Sequence, residues 1–170
     1  LNPKLHQIIE LRPLLGLRSP VHTIARMLNP FDAPSVMQGI FHPGYRPTHQ
    51  EAGMLLGIQR MTVLKGEGGE IERNPDQEVL LQCVSEGTMH DEEWPAMFAR
   101  RHVRPDEMNV ADLAALWRGD KQDEYGEAAV IGTVAIALYT MGRARDREEA
   151  EAQARSMWAS RNKTRFRNAA

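Results

Sequence analysis

The chain has one cysteine, Cys83, inside the apolar run EVLLQCVSE. A lone thiol cannot staple a fold, and these neighbours suit a buried structural thiol rather than a nucleophile. An unbroken apolar run of about 18 residues is lacking, as are a charged start with an apolar stretch behind it and a lipidation signal, which argues for a soluble, cytoplasmic protein without membrane attachment. Charge of one sign is lacking too: the formal net charge is -2, which by itself predicts neither nucleic-acid nor membrane binding, so the distribution of charge has to decide. His42 and His49 flank a Pro-Gly loop but have no His-Glu-x-x-His helix or cysteine set beside them, so no zinc site is expected. Nothing has the Ser-His-Asp or Cys-His look.

What is present is ample material for one core. With 170 residues and 42% hydrophobic content, a single compact domain is expected. Arg12 to Pro30, RPLLGLRSPVHTIARMLNP, looks like the organising stretch. Gly16 allows a bend, Ser19 can cap a following helix and Pro20 fits its first turn. Val21, Ile24, Met27 and Leu28 fall on one helical face, which is expected to be buried under the rest of the chain. Arg12 and Arg18 bracket the bend, either as a holder for phosphate or carboxylate or as solvated surface arginines.

Around that stretch the pattern alternates. Residues 3–15 suit an amphipathic helix, VMQGIF a strand running into His42-Pro43-Gly44, and residues 50–56 a helix with Ala52, Leu55 and Leu56 inward. MTVLKGEGGEIE reads as a strand entering a glycine-rich loop, with solvated glutamates as the plain alternative to a ligand site. EVLLQCV has strand length, and Glu86-Gly87 marks a turn after it. The half around Trp94, Met97 and Phe98 is mixed, and the basic cluster Arg100, Arg101, His102 and Arg104 is diluted by Asp106 and Glu107. A helix start at Asn109 follows, with Leu113, Leu116 and Trp117 behind it. YGEAAVIGTVAIALYTMG is the most apolar helix candidate, its small residues suited to close approach in the core. The last helix, 146–160, runs from acidic to basic as the helix dipole favours.

Three of these stretches carry a family resemblance. Arg12, Leu15, Gly16, Arg18, Asn29 and Pro30 match, without a gap, the anthranilate phosphoribosyltransferase segment R-x-x-L-G-x-R-T-x-F-N-x-L-G-P-L-x-N-P, with His22 in the family's Asn position and Ala25-Arg26 in place of Gly-Pro. Residues 65–72 resemble the family's V-x-G-x-D-G-L-D-E, but the first Asp falls on Gly68, the second on Ile71, and only Glu72 survives, with Glu70 nearby and out of register. Gly126 to Leu138 resembles the family helix G-x-A-A-x-x-G-x-x-A-x-x-L. The pattern is similar to the divergent, YbiB-type branch of glycosyltransferase family 3, whose members share the fold and bind nucleic acid.

The resemblance implies an α/β fold, the C-terminal part of a nucleoside phosphorylase/phosphoribosyltransferase-type catalytic domain, with a central sheet flanked by helices over residues 1–160 and a mobile basic tail over 161–170. It also implies that a helical domain and a Gly-Thr-Gly-Gly-Asp loop would lie upstream in a longer protein, since the chain begins without Met and in a helix. A homodimer would form through that upstream region. By resemblance, Arg12, Arg18 and His22 are substrate- or phosphate-binding positions and Glu72 with Glu70 is what remains of a magnesium site. Octahedral magnesium on a diphosphate takes one or two protein carboxylates in fixed geometry, and an isoleucine supplies none.

From Arg155 onward the cations Arg155, Arg161, Lys163, Arg165 and Arg167 meet no acid, and Trp158 and Phe166 are interleaved. That end suits a phosphate backbone with exposed bases, or simply a soluble helix end. If all five meet phosphates, the slope of log affinity against log salt is roughly -3.5 to -4.5. Two functions follow. One is sequence-indifferent DNA or RNA binding with no catalytic residue and no cofactor. The other is a phosphoribosyl transfer using phosphoribosyl pyrophosphate and magnesium, for which the lost metal carboxylate is a direct handicap.

Overall fold

The computed structural model describes residues 3–16, 20–67, 70–103 and 109–166. Its centre is a four-stranded sheet in the order β1 (Ser35–Gly39), β2 (Arg60–Leu64), β3 (Val79–Ser85) and β4 (Thr88–Trp94). β1 and β2 are parallel, and the other two pairings are antiparallel. Among the described residues seven helices accompany it: α1 (Pro3–Ile9), α2 (Arg12–Leu15), α3 (Pro20–Ile24), α4 (Arg46–Leu55), α5 (Val110–Arg118), α6 (Glu124–Thr140) and α7 (Arg147–Ala159). None of them is long and apolar enough to cross a membrane. This is the expected α/β architecture, a mixed sheet flanked by helices.

The period-two alternation of a strand sends its side chains to two different helical layers. On one face Leu64, Leu81, Cys83 and Trp94 meet Ile131, Ala135 and Ile136 of α6, which is backed in turn by Ala150, Ala154 and Trp158 of α7. On the other, Met61, Val63, Val84 and Ile40 meet Met54 of α4 and Ile58. α6 is apolar all round, so it can be covered by sheet and helix at once. Each large aliphatic side chain removed from water here is worth about 1.5–3 kcal/mol.

Local chemistry sets the ends. Asn109, Asp123 and Asp146 each accept a hydrogen bond from a backbone amide in the first turn of α5, α6 and α7. Glu86 and Gly87 form the hairpin turn with φ of 49° and 78°, the double positive φ that a tight two-residue turn demands.

Three expectations are corrected. Residues 3–15 form two short helices, because Pro13 lacks an amide proton and its ring would strike the carbonyl of Ile9. Residues 20–28 do not organise the fold: α3 has five residues and passes into a 3-10 turn at Ala25–Met27, neither burying any residue, and Ile24 is 60% exposed. Fewer than two turns offer too narrow a face to be a core element, and α6 takes that place. The stretch around Trp94, Met97 and Phe98 reads as mixed in the sequence, and its beginning, Asp91 to Trp94, completes β4, an edge strand whose exposed positions are polar apart from Met89.

Candidate functional site

In open α/β sheets ligands gather outside the carboxyl ends of parallel strands. Here the ends of β1 and β2 feed two touching loops, with Ile40 N donating to Leu64 O at 2.9 Å and Gly66 N to Ile40 O at 3.5 Å. The first loop, 41–45, presents Phe41, His42 and Tyr45, with ring centroids 5.1 and 6.1 Å apart in edge-to-face contact. The second is the glycine-rich loop, where Lys65 pairs with Glu67 at 3.4 Å.

Beneath the first loop lies a buried polar chain. Gln38 Nε2 donates to Arg26 O at 2.9 Å, so its Oε1 accepts, and His49 Nδ1 at 2.7 Å carries the proton. Burial, then the charge of Arg26, lowers the His49 pKa, which keeps this imidazole neutral. Arg26 Nη1 donates to Gly39 O at 3.0 Å and ties the preceding segment to the strand end.

Of the positions carried over from the resemblance, Arg12 is exposed, His22 is half-buried on α3, and Arg18 lies outside the described residues. Glu70 and Glu72 are exposed on the glycine-rich loop, and Gly68 lies outside the described residues. Among the described residues no group of three or more His, Cys, Asp or Glu stands close enough together to hold a metal through protein side chains alone. Burial pushes the Cys83 thiol up to about 11, so it stays protonated, as its apolar surroundings predicted.

The basic end is built into the fold as far as it is described. Arg161 donates to Trp117 O at 2.8 Å, to Leu116 O at 3.2 Å and to Trp158 O at 2.8 Å, so one guanidinium caps the last turns of α5 and α7, and it lies 3.7 Å over the Trp158 ring. Residues 161–166, expected to be a mobile extension, lie along α5: Trp117 Nε1 donates to Asn162 O and Arg118 Nη1 to Phe166 O. A carbonyl satisfies a guanidinium without neutralising it. Arg161, Lys163 and Arg165 make no ion pair among the described residues. Arg155 differs, sharing Glu151 at 3.7 Å. Arg167 lies outside the described residues.

Two constellations escaped sequence reading. Arg73, fully buried just after the glycine-rich loop, donates to Glu151 at 3.1 Å and to Pro95 O at 2.8 Å, and lies against Trp94. Burial lowers its pKa, and Glu151 works against that shift. Gly132 makes the seat possible, because a Cβ there would stand 2.7 Å from Arg73 Cδ. The second is a clasp: Asp76 accepts from the backbone and Nδ1 of His102, both at 2.6 Å, while His102 Nε2 faces Glu124 at 3.3 Å. The Asp76 hydrogen bond raises the His102 pKa. An arginine followed by Asn-Pro-Asp was the only signal for either, and it does not name partners so far along the chain.

No family profile matches the chain. It is similar over most of its length to anthranilate phosphoribosyltransferases, for example 27% identical over 167 residues, 94% of the chain, to that of Stenotrophomonas maltophilia strain R551-3. An uncharacterized protein of Aquifex aeolicus is 39% identical over 80 residues, 47% of the chain and 26% of that protein. Among solved structures, anthranilate phosphoribosyltransferase (TrpD) from Thermus thermophilus superposes on 93% of the chain and 48% of its own with a TM-score of 0.71 at 24% identity, which shows the fold. The chain spans about half the length of the enzymes it matches.

Proposed function

We propose that this phosphoribosyltransferase-fold chain, the C-terminal portion of a divergent YbiB-type relative, binds DNA or RNA without sequence preference and performs no transfer. The carrying observation is the positive corner of Arg161, Lys163 and Arg165, anchored to α5 through Arg161, in which none of the three cations makes an ion pair among the described residues. A backbone tied to α5 loses less entropy on meeting a phosphate backbone than a free chain does, and Trp117 and Phe166 stand beside these cations in ring contact. Against transfer stands the loop itself, which puts Ile71 where the resemblance calls for the second metal carboxylate.

The test is a filter-binding titration of the chain against single-stranded and duplex DNA at two salt concentrations. Lys163→Gln, Arg165→Gln and Arg167→Gln together, with Arg161 left to hold the helix ends, should weaken binding and flatten the salt slope by about 2 on single strands and about 2.7 on duplex. Unchanged affinity and slope would remove this corner from the function. Magnesium-dependent consumption of phosphoribosyl pyrophosphate with an aromatic amine would favour the transferase instead.

A further inference from the structure

The loop between β1 and α4 has no part in that corner, yet it is built like a ligand shelf. Single exposed aromatics are ordinary. Here three rings sit side by side in edge-to-face contact, with Phe41 49% and Tyr45 57% exposed, at the end of a parallel strand where ligands collect. The contact between the rings holds them in place before any ligand arrives. Pro43 stiffens the loop between them.

The next residue supplies a second, polar reason. Arg46, at the start of α4, makes no ion pair among the described residues, and its Nε is buried without a hydrogen-bond partner. A buried donor left unsatisfied is uncommon in a folded chain and calls for a partner. An anion held by the remaining guanidinium nitrogens would draw the side chain outward and relieve it.

We propose that Phe41, His42 and Tyr45 with Arg46 form a stacking site for one nucleotide unit of a single-stranded nucleic acid, the rings taking the base and the guanidinium its phosphate. The occupant rests on the nucleic-acid reading above; the shelf itself does not. A strand is favoured over a free nucleotide because the rings are open to solvent, and an open shelf holds a ligand well only when neighbouring units are bound elsewhere on the same protein. A duplex is disfavoured because its bases are already stacked on one another and cannot reach the rings.

The experiment compares the full chain with Phe41→Ala/Tyr45→Ala, Phe41→Trp/Tyr45→Trp and Arg46→Gln, each first shown by circular dichroism to melt like the parent. Fluorescence anisotropy is read on an oligonucleotide of about 16 nucleotides, single-stranded and as duplex, with adenosine monophosphate as competitor. The double alanine variant should bind the single strand about tenfold or more weakly, with its salt slope and its duplex affinity unchanged, and the tryptophan variant should bind as the parent does or better. Arg46→Gln should reduce the single-strand slope by about 0.7. If the parent binds single strands and the double alanine variant binds them equally well, the shelf is not a base site, while the nucleic-acid reading stands. If the parent binds neither form, that reading fails first and the occupant with it. Loss of equal size on both forms, or displacement of the strand by the free nucleotide at micromolar concentration, overturns the assignment to a strand.

Discussion

Helix α6 and the segment from Pro20 to Leu28 are both apolar at helical spacing, yet Ile136 is fully buried while Ile24 is 60% exposed and Leu28 48% exposed. The difference is length and girth. α6 has 17 residues and small side chains at Ala128, Ala129, Gly132 and Ala135, so sheet and α7 can approach it from two sides. The segment at 20–28 is a five-residue helix and one 3-10 turn, with only Met27 reaching the smaller core cluster. Apolar spacing names a face that wants cover; it does not say whether enough of that face exists to be covered.

Substitutions should separate the two regions widely. Ile136→Ala leaves a cavity among Leu64, Leu81 and Trp94 and is expected to lower stability by about 3 kcal/mol in a urea titration. A loss below about 0.5 kcal/mol would mean α6 is not the centre of this core. A smaller, pH-dependent effect is expected where α6 begins, at the clasp of His102 with Asp76 and Glu124. The folded His102 pKa is raised, so its contribution is complete below the unfolded value of about 6.5 and is lost as pH rises through the folded value. Asp76 runs the other way. Burial raises its pKa, the hydrogen bonds from His102 outweigh that, and the net lowering means its contribution fades only as pH falls below about 3.9 and through the folded value. The melting temperature should therefore decline on the alkaline side, and His102→Gln should flatten that limb; an unaltered limb would show that the clasp carries no stability. The smallest effect belongs to the exposed segment: Ile24→Ser should change stability by no more than about 0.5 kcal/mol, and a core-sized loss there would erase the contrast with α6.

The same contrast runs through the charges. Arg73 and Arg46 are both arginines beside candidate ligand loops, but Arg73 is fully buried with Glu151 as partner, whereas Arg46 makes no ion pair among the described residues. Removing either side of a buried pair costs about 3–5 kcal/mol because the other charge is stranded, although Glu151 also has Arg147 and Arg155 within reach. The Nε of each is buried without a hydrogen-bond partner, so it is the ion pair that makes Arg73 a structural rivet and leaves Arg46 for the proposed phosphate contact. The four described cations of the basic end divide likewise: Arg161 caps two helices, Arg155 shares Glu151, and Lys163 with Arg165 faces solvent.

Composition and local pattern were enough to place the strands at 36, 61 and 79, the helix starts at Asn109 and Asp146, the Glu86-Gly87 turn, the buried thiol of Cys83 and the central helix at 125–142, because each depends on neighbours within a few residues: an alternation, a cap, a turn pair, a run of small apolar side chains. The phosphoribosyltransferase-like fold was reached through the family resemblance of three stretches rather than through composition or local pattern. What only the tertiary structure decided is which apolar faces find cover and which charges find partners. Arg73 meets Glu151 across 78 positions, and Trp117 meets Asn162 across 45. Such pairings arise when packed layers bring distant segments together, so no local window of sequence contains them.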